Sequence, residues 1–428
     1  MAVTLDDIKD YNPALRGECF EVPKFRREVY YAIKSVVSQK KFIVALTGLR
    51  RVGKTTILKQ VYNDLEGDKF FFSFEEDRFA NYNSLKEVIE LFIRLGNKPT
   101  IFLDEVGRVK GWAGLIKKYH DLNLARFVVS GSSALQLTKG KESLAGRMME
   151  YKISPWQFGE FLRLHNLSVE SLRITNFESI EREYLKWGGK GNEMITDFLK
   201  KGSFPELADV DDESEIKKYV KSTTLEKIIF EDIPHIFAVE DKSKLYEIMN
   251  YIGRESGSIV KYSHIGEFLE MSKDTVKKYI FYLKFSYLVD LLAVEGSTIK
   301  GMRRPQKIYA SCAPISFALS DIYEESRLVE NAVFDKLRNS FENIYYFRDA
   351  QKHEVDFVGA VVVESKWKNE ITLSDISSLL YYMKKRKIKN AIVIGKEFDI
   401  IEKGDKKIFV LPLAFFLLCN FEFKAAKK

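Results

Sequence analysis

Residues 42–47 (FIVALT) form a short apolar run that ends at Gly48, and Leu49-Arg50-Arg51-Val52-Gly53-Lys54-Thr55-Thr56 follows at once. An apolar run leading into G-x-x-x-x-G-K-T and then into helix-forming residues admits few folds. It requires a buried strand, a tight glycine turn and a helix whose N-terminus faces that turn. The glycines let successive backbone N–H groups wrap an anion, and the helix terminus adds positive potential. Lys54 then reaches terminal phosphates, and the Thr55 hydroxyl is a ligand for Mg2+. The candidate nucleotide-binding set is Gly48, Arg50, Arg51, Val52, Gly53, Lys54, Thr55 and Thr56. Arg50 and Arg51 are bulky for such a loop and reach either a phosphate or a neighbouring carboxylate.

Two further apolar runs, 100–105 (TIFLDE) and 126–131 (RFVVSG), read as parallel strands, with helices expected over 55–65 and 85–95 between them. The first run delivers Asp104 and Glu105 at its C-terminal tip, the end at which open α/β sheets bind ligands. Asp104 is expected to hold Mg2+ through water, and Glu105 to orient and deprotonate the water that attacks a γ-phosphate. Ser130 and Ser132 end the next run. They either present a hydroxyl to that phosphate or form a small-residue turn without contact. Arg147 is a candidate for stabilising transition-state charge, in cis or across a subunit interface, and is otherwise a surface arginine.

The chain of 428 residues is long enough for two to four domains. With 46% hydrophobic residues and 9 Pro it can bury a core throughout. The 68 Lys+Arg against 61 Asp+Glu leave a net charge of +7, compatible with an acidic partner but far from a histone-like bias. Cys19, Cys312 and Cys419 show neither disulfide nor zinc spacing, which favours a reducing, cytoplasmic location. The longest apolar run, 408–419, contains Pro412 and falls short of the roughly 20 residues that span a bilayer, so no membrane role is expected.

Beyond residue 165 the pattern changes. Residues 180–244 are charged and helical, and helices are expected over 245–254, 263–270 and 273–287, followed by two apolar runs. Three helices and a hairpin outline a winged helix, with Lys273, Thr275, Lys277 and Lys278 on its third helix available to DNA phosphates or base edges, and Lys300, Arg303, Arg304 and Lys307 on its wing adding to the basic surface. Phosphate contacts position DNA without reading its sequence. The same module also serves as a hinge or protein-binding domain. Toward the C-terminus a helix over 328–341, strands 343–348, 354–359 and 361–367, a helix over 374–385 and a closing strand at 391–395 are expected. Asp356 and the Glu364-Ser365-Lys366 triplet lie on adjacent runs that pair as a hairpin. Asp356 and Glu364 then bind Mg2+ while Lys366 positions a hydrolytic water, and Glu330 on the preceding helix completes the metal shell. A solvated face of alternating charges is the plain alternative.

GLRRVGKTT, IFLDEVGRVKGW, VVSGSSALQL, SLAGRMMEYKISPWQFGEF, EVDF and ESKW together resemble the archaeal and bacterial AAA-type ATPases related to the STAND class. In these a P-loop domain is joined to a winged helix and a restriction-endonuclease-like C-terminal domain. The resemblance implies hydrolysis of ATP with Mg2+ at Lys54, Thr55, Asp104 and Glu105. The expected fold class is therefore multidomain α/β: a P-loop core over 1–165, a helical lid over 166–244, a winged helix over 245–312 and a restriction-endonuclease-like domain over 313–428. Three functions follow: an ATPase acting on DNA, an ATP-gated metal-dependent DNA endonuclease, and an ATP-driven switch binding protein partners through an inert C-terminal domain. Homo-oligomers suit each of them.

Overall fold

The computed structural model describes residues 3–39, 41–131, 144–296 and 305–423. The apolar runs of the N-terminal third build one sheet from β1 (Ile43–Gly48), β2 (Lys69–Ser73), β3 (Thr100–Asp104), β4 (Arg126–Gly131) and β5 (Met148–Ile153). The order is β2-β3-β4-β1-β5 and every pairing is parallel. Helices α1 (Leu5–Tyr11), α2 (Glu28–Gln39), α3 (Lys54–Asp64), α4 (Tyr82–Leu95) and α5 (Trp112–Asp121) accompany it. Side chains alternate across a strand. Ala45, Phe72, Leu103 and Val129 thus share a core with Val88 and Phe92 of α4 and Ile116 of α5. From the opposite face Phe102 meets Tyr62 of α3. Burial on both faces is why β1, β3 and β4 read as continuous apolar runs. The sheet is that of a P-loop nucleotide-binding domain.

Helix α4 starts three residues before the expected 85 because the Asn81 side chain accepts the Ser84 N–H and caps it. Strands β2 and β5 were not expected. The β5 side chains are mostly exposed or half-buried, so MMEYKI carries little apolar signal.

The rest of the chain begins with a short strand, β6 (Leu172–Ile174), short helices and two π-helical segments, Val220–Leu225 and Lys227–Asp232. Helices α6 (Lys242–Arg254), α7 (Tyr262–Phe268) and α8 (Lys273–Phe285) precede an antiparallel pair, β7 (Val289–Ala293) and β8 (Gln306–Ala310). Helix α9 (Glu325–Ser340) then leads into a six-stranded sheet. Its strands are β9 (Ile344–Arg348), β10 (Glu354–Gly359), β11 (Val363–Ser365), β12 (Asn390–Gly395), β13 (Asp399–Lys403) and β14 (Lys406–Pro412), with α10 (Ser377–Arg386) packed on it. The order is β13-β14-β12-β11-β10-β9. Residues 391–395 therefore do not close the domain. A hairpin turning at Gly404 (φ +62°) adds β13 and β14, and β14 pairs in parallel with β12. The charged text of the β13–β14 turn hid it.

By its contacts the chain divides into two units. Residues 1–154 with 230–239 and 285–287 form one, and 155–229, 240–284 and 288–428 form the other. Among the described residues no helix is long and apolar enough to cross a membrane.

Candidate functional site

At the C-terminal tip of β1 the chain must turn sharply, and Gly48 permits it. Its φ is +142°, and a Cβ there would stand 2.3 Å from the Ile153 carbonyl oxygen. Gly53 caps α3 at φ +92°, and Arg51 holds a left-handed φ of +65°. Lys54 is 5% exposed and donates to the carbonyls of Gly48 at 3.1 Å and Leu49 at 2.8 Å. Burial lowers its pKa, opposed by the charges of Glu105 and Asp104.

The carboxylate of Asp104 ties the ends of β3 and β4 to the start of α3. The Thr55 hydroxyl donates to its Oδ2 at 2.7 Å, the Ser130 hydroxyl donates to its Oδ1, and the Glu105 N–H donates to Ser130 Oγ at 3.2 Å. Ser130 is therefore joined to Asp104 and to the Glu105 backbone, whereas Ser132 lies outside the described residues. Burial and the neighbouring Glu105 push the Asp104 carboxyl up to about 6 against the two hydroxyl hydrogen bonds. Glu105 itself sits at φ +50°. Left-handed backbone at a non-glycine residue costs energy and persists where the surroundings enforce it. A hydroxyl and a carboxylate 2.7 Å apart at a helix N-terminus form the oxygen donor set that Mg2+ prefers, beside an ammonium suited to phosphate. The residues present fit ATP and Mg2+.

Arg50 resolves toward the carboxylate. Its guanidinium pairs with Asp232 through Nε at 2.6 Å and Nη2 at 2.7 Å. Burial works against the charge, but the hydrogen bonds to Asp232 hold the Arg50 pKa above its ordinary value. Val52 is buried; its carbonyl accepts from Arg27 Nη1 at 2.9 Å, and the same nitrogen reaches the Ser154 carbonyl at 3.0 Å. Thr56 is half-buried and Arg51 exposed. Asp232 and Arg27 were not found from sequence, because neither lies near the loop in the chain. Asp232→Asn is expected to lower the unfolding free energy by about 1.5–3 kcal/mol, the usual worth of hydrogen bonds to charged groups, read from urea denaturation.

Arg147 corrects an expectation. β1 and β5 run in parallel with Ile43 opposite Met148 and Gly48 opposite Ile153, so Arg147 precedes the end of β5 remote from the phosphate loop. At roughly 3.3 Å per residue the separation along the strand is about 16 Å. There Arg147 pairs with Asp121 at 2.6 Å, both half-exposed, which rules out a role on the phosphates of its own subunit.

The C-terminal candidates do come together. β10 and β11 pair antiparallel, with Phe357 opposite Val363. Glu364 Oε2 accepts the Asp356 N–H at 3.2 Å, Asp356 Oδ2 accepts the Ser365 N–H at 3.0 Å, and Lys366 pairs with Glu364 Oε1 at 2.8 Å. Glu330 joins them through Lys307, whose Nζ lies 3.2 Å from Glu330 and 2.9 Å from Asp356. This overturns the expected place of Lys307 on a basic wing surface: its side chain is 3% exposed, turned inward against Glu330, Glu354 and Asp356. Lys300, Arg303 and Arg304 lie outside the described residues. Burial and Asp356 push Glu330 up to about 7 and Glu364 up to about 8. For Asp356 burial is outweighed by Lys307, which holds the carboxyl below its ordinary value. Among the described residues no group of three or more His, Cys, Asp or Glu side chains is arranged to hold a metal ion. On α8, Lys273, Lys277 and Lys278 are exposed and Thr275 half-buried, with Asp274 3.4 Å from Lys277 and Glu240 3.7 Å from Lys278.

Residues 40–162 match the family model of an AAA domain. The chain carries an AAA domain. Domains of unknown function match over residues 192–311 (DUF8612) and 325–416 (DUF4143), beyond the AAA domain. An uncharacterized protein of Methanocaldococcus jannaschii is 28% identical over 329 residues, covering 74% of this chain and 71% of that protein. A second from the same organism is 27% identical over 417 residues, covering 90% and 86%. Among solved structures, the RuvB Holliday junction branch migration motor of Thermotoga maritima aligns at 15% identity and TM-score 0.29, covering 62% of this chain and 89% of that chain. DnaA of Aquifex aeolicus bound to AMPPCP aligns at 15% identity and TM-score 0.26, with coverage of 62% and 89%. Both scores lie below 0.5, and the AAA domain is assigned from its sequence match, strand order and phosphate loop.

Proposed function

We propose that this chain is a Mg2+-dependent ATP hydrolase that works with DNA through its α6–α8 and β7–β8 segment, a winged helix, and through a restriction-endonuclease-like C-terminal domain. The junction of Thr55, Asp104, Glu105 and Ser130 at the phosphate loop carries the first half of this reading. Lys54 neutralises the terminal phosphates, and the N–H groups at the start of α3 cradle them. Thr55 and, through water, Asp104 would hold Mg2+, which would supply neutralisation of the phosphate charge. Glu105 accepts a proton from the attacking water and directs it in line, while Ser130 holds Asp104 and the Glu105 backbone in register.

The second half rests on the exposed lysines of α8. Their charge is partly offset by Asp274 and Glu240, which fits positioning on phosphates rather than tight, indiscriminate binding. Steady-state ATP turnover at low salt, with and without single-stranded, duplex and branched DNA, tests it. A stimulation of about tenfold, 1.4 kcal/mol of barrier, is expected, declining steeply as salt rises. Turnover indifferent to every DNA would remove nucleic acid from the function and leave the ATP-driven, protein-binding switch.

A further inference from the structure

The positive charge at the centre of the C-terminal cluster comes from the chain itself. Lys307 and Tyr309, two residues apart on β8, lie on one face of the strand, and both reach Glu330 Oε1, at 3.2 Å and 2.7 Å. The same ammonium lies 2.9 Å from Asp356 and 3.0 Å from Glu354. The ammonium donates to Glu330 and Asp356 and is ion-paired with Glu354 as well, so three carboxylates surround it. Further oxygens of the cluster are engaged by the chain: Asp356 Oδ2 by the Ser365 N–H, and Glu364 by the Asp356 N–H and Lys366.

The backbone that carries Lys307 is held on both sides. Lys307 pairs with Leu292 of β7 on one side and bridges Ile259 on the other. The Gly257 N–H donates to the Ile308 carbonyl at 2.8 Å, and the Ile308 N–H to the Ser258 carbonyl at 3.0 Å. Gly257 is needed for this approach, since at φ +89° a Cβ would stand 2.9 Å from Glu330 Oε1. The strand end is fastened to the sheet too, by the Tyr346 hydroxyl on the Pro305 carbonyl at 3.0 Å.

We propose that Lys307 is the resident cation of this cluster, occupying the position between Glu330 and Asp356 that a metal-dependent nuclease needs for its ion, so that the C-terminal domain binds its partner without cutting phosphodiesters. A hydrolytic metal site needs open positions for water and a phosphate oxygen. Here a fixed positive charge fills the place, and a divalent ion beside it would meet repulsion at a distance where the carboxylate oxygens are already shared. The residues present do not fit a metal.

The inference does not depend on the ATPase reading. To keep the nucleotide site out of the measurement, the full chain carrying Asp104→Asn is titrated with Mn2+ in the absence of nucleotide, and free Mn2+ is followed by electron paramagnetic resonance. Adding Asp356→Asn is expected to leave binding unchanged, because no ion sits at the cluster. Replacing Lys307 by Met in the Asp104→Asn chain is expected to create a site that binds at least about tenfold tighter and that Asp356→Asn removes. An ion already held with Lys307 present and lost on Asp356→Asn would overturn the proposal, as would a folded Lys307→Met chain that gains none. If Lys307→Met does not fold, Lys307→Gln takes its place with the same two outcomes, and the comparison that retains Lys307 stands by itself. Plasmid nicking by the unaltered chain that Asp356→Ala abolishes would likewise overturn it.

Discussion

Glu105→Gln is expected to bind ATP as the unaltered chain does and to turn it over at about a hundredth of the rate or less, the lower bound of what a positioned general base contributes. The amide is isosteric and keeps the backbone N–H on Ser130 Oγ, so the junction around Asp104 survives while the proton acceptor is lost. Fluorescent-nucleotide binding and single-turnover hydrolysis separate the two effects. Lys54→Ala provides the contrast. It removes the buried ammonium that lies against the Gly48 and Leu49 carbonyls, and both binding and turnover should fall. Equal losses of binding in the two variants would show that Glu105 acts on affinity and not on the attacking water. Glu105 also occupies left-handed backbone at φ +50°, so Glu105→Gly should be inactive yet no less stable, the pattern expected of strain kept at a working residue.

The nucleotide site was legible in the sequence because its chemistry is local. Gly48 to Thr55 is contiguous, Asp104 and Glu105 end an apolar strand, and the parallel order brings those tips together. What escaped was supplied from afar. Arg27 precedes Val52 by 25 residues and Asp232 follows Arg50 by 182, and no periodicity links such positions. The cis role offered for Arg147 fell away because chain order after β4 does not say at which end of the sheet a residue falls; the register of β5 against β1 does. In the C-terminal domain the hairpin of β10 and β11 placed Asp356, Glu364 and Lys366 correctly, since two-residue alternation fixes their faces. Lys307 was read with Arg303 and Arg304 as part of a basic wing, although it opens the apolar run KIYA. In a strand that shares its face with a buried tyrosine, a lysine points inward, and a buried lysine must find carboxylates.

That requirement sets the second large effect. Lys307→Met is expected to destabilise the protein by about 3–5 kcal/mol, the cost of removing one partner from a buried ion pair and leaving the other uncompensated. Three carboxylates, Glu330, Glu354 and Asp356, lose their common cation in a place that is 3% exposed at the lysine, so solvent does little to soften the loss. Lys366→Met, at a side chain 31% exposed, should cost less, because its partner Glu364, pushed up to about 8 by burial and by Asp356, can take a proton once the ammonium is gone. Urea unfolding of the two variants tests the ordering. If a divalent ion takes the vacated charge, Mn2+ at about a hundred times its Kd should return about 2.7 kcal/mol to Lys307→Met and nothing to Lys366→Met, where Lys307 still holds the centre. Comparable losses in both variants, with no rescue by Mn2+ in either, would mean that Lys307 contributes only one more surface-like pair and that the carboxylates are kept apart by something other than its charge.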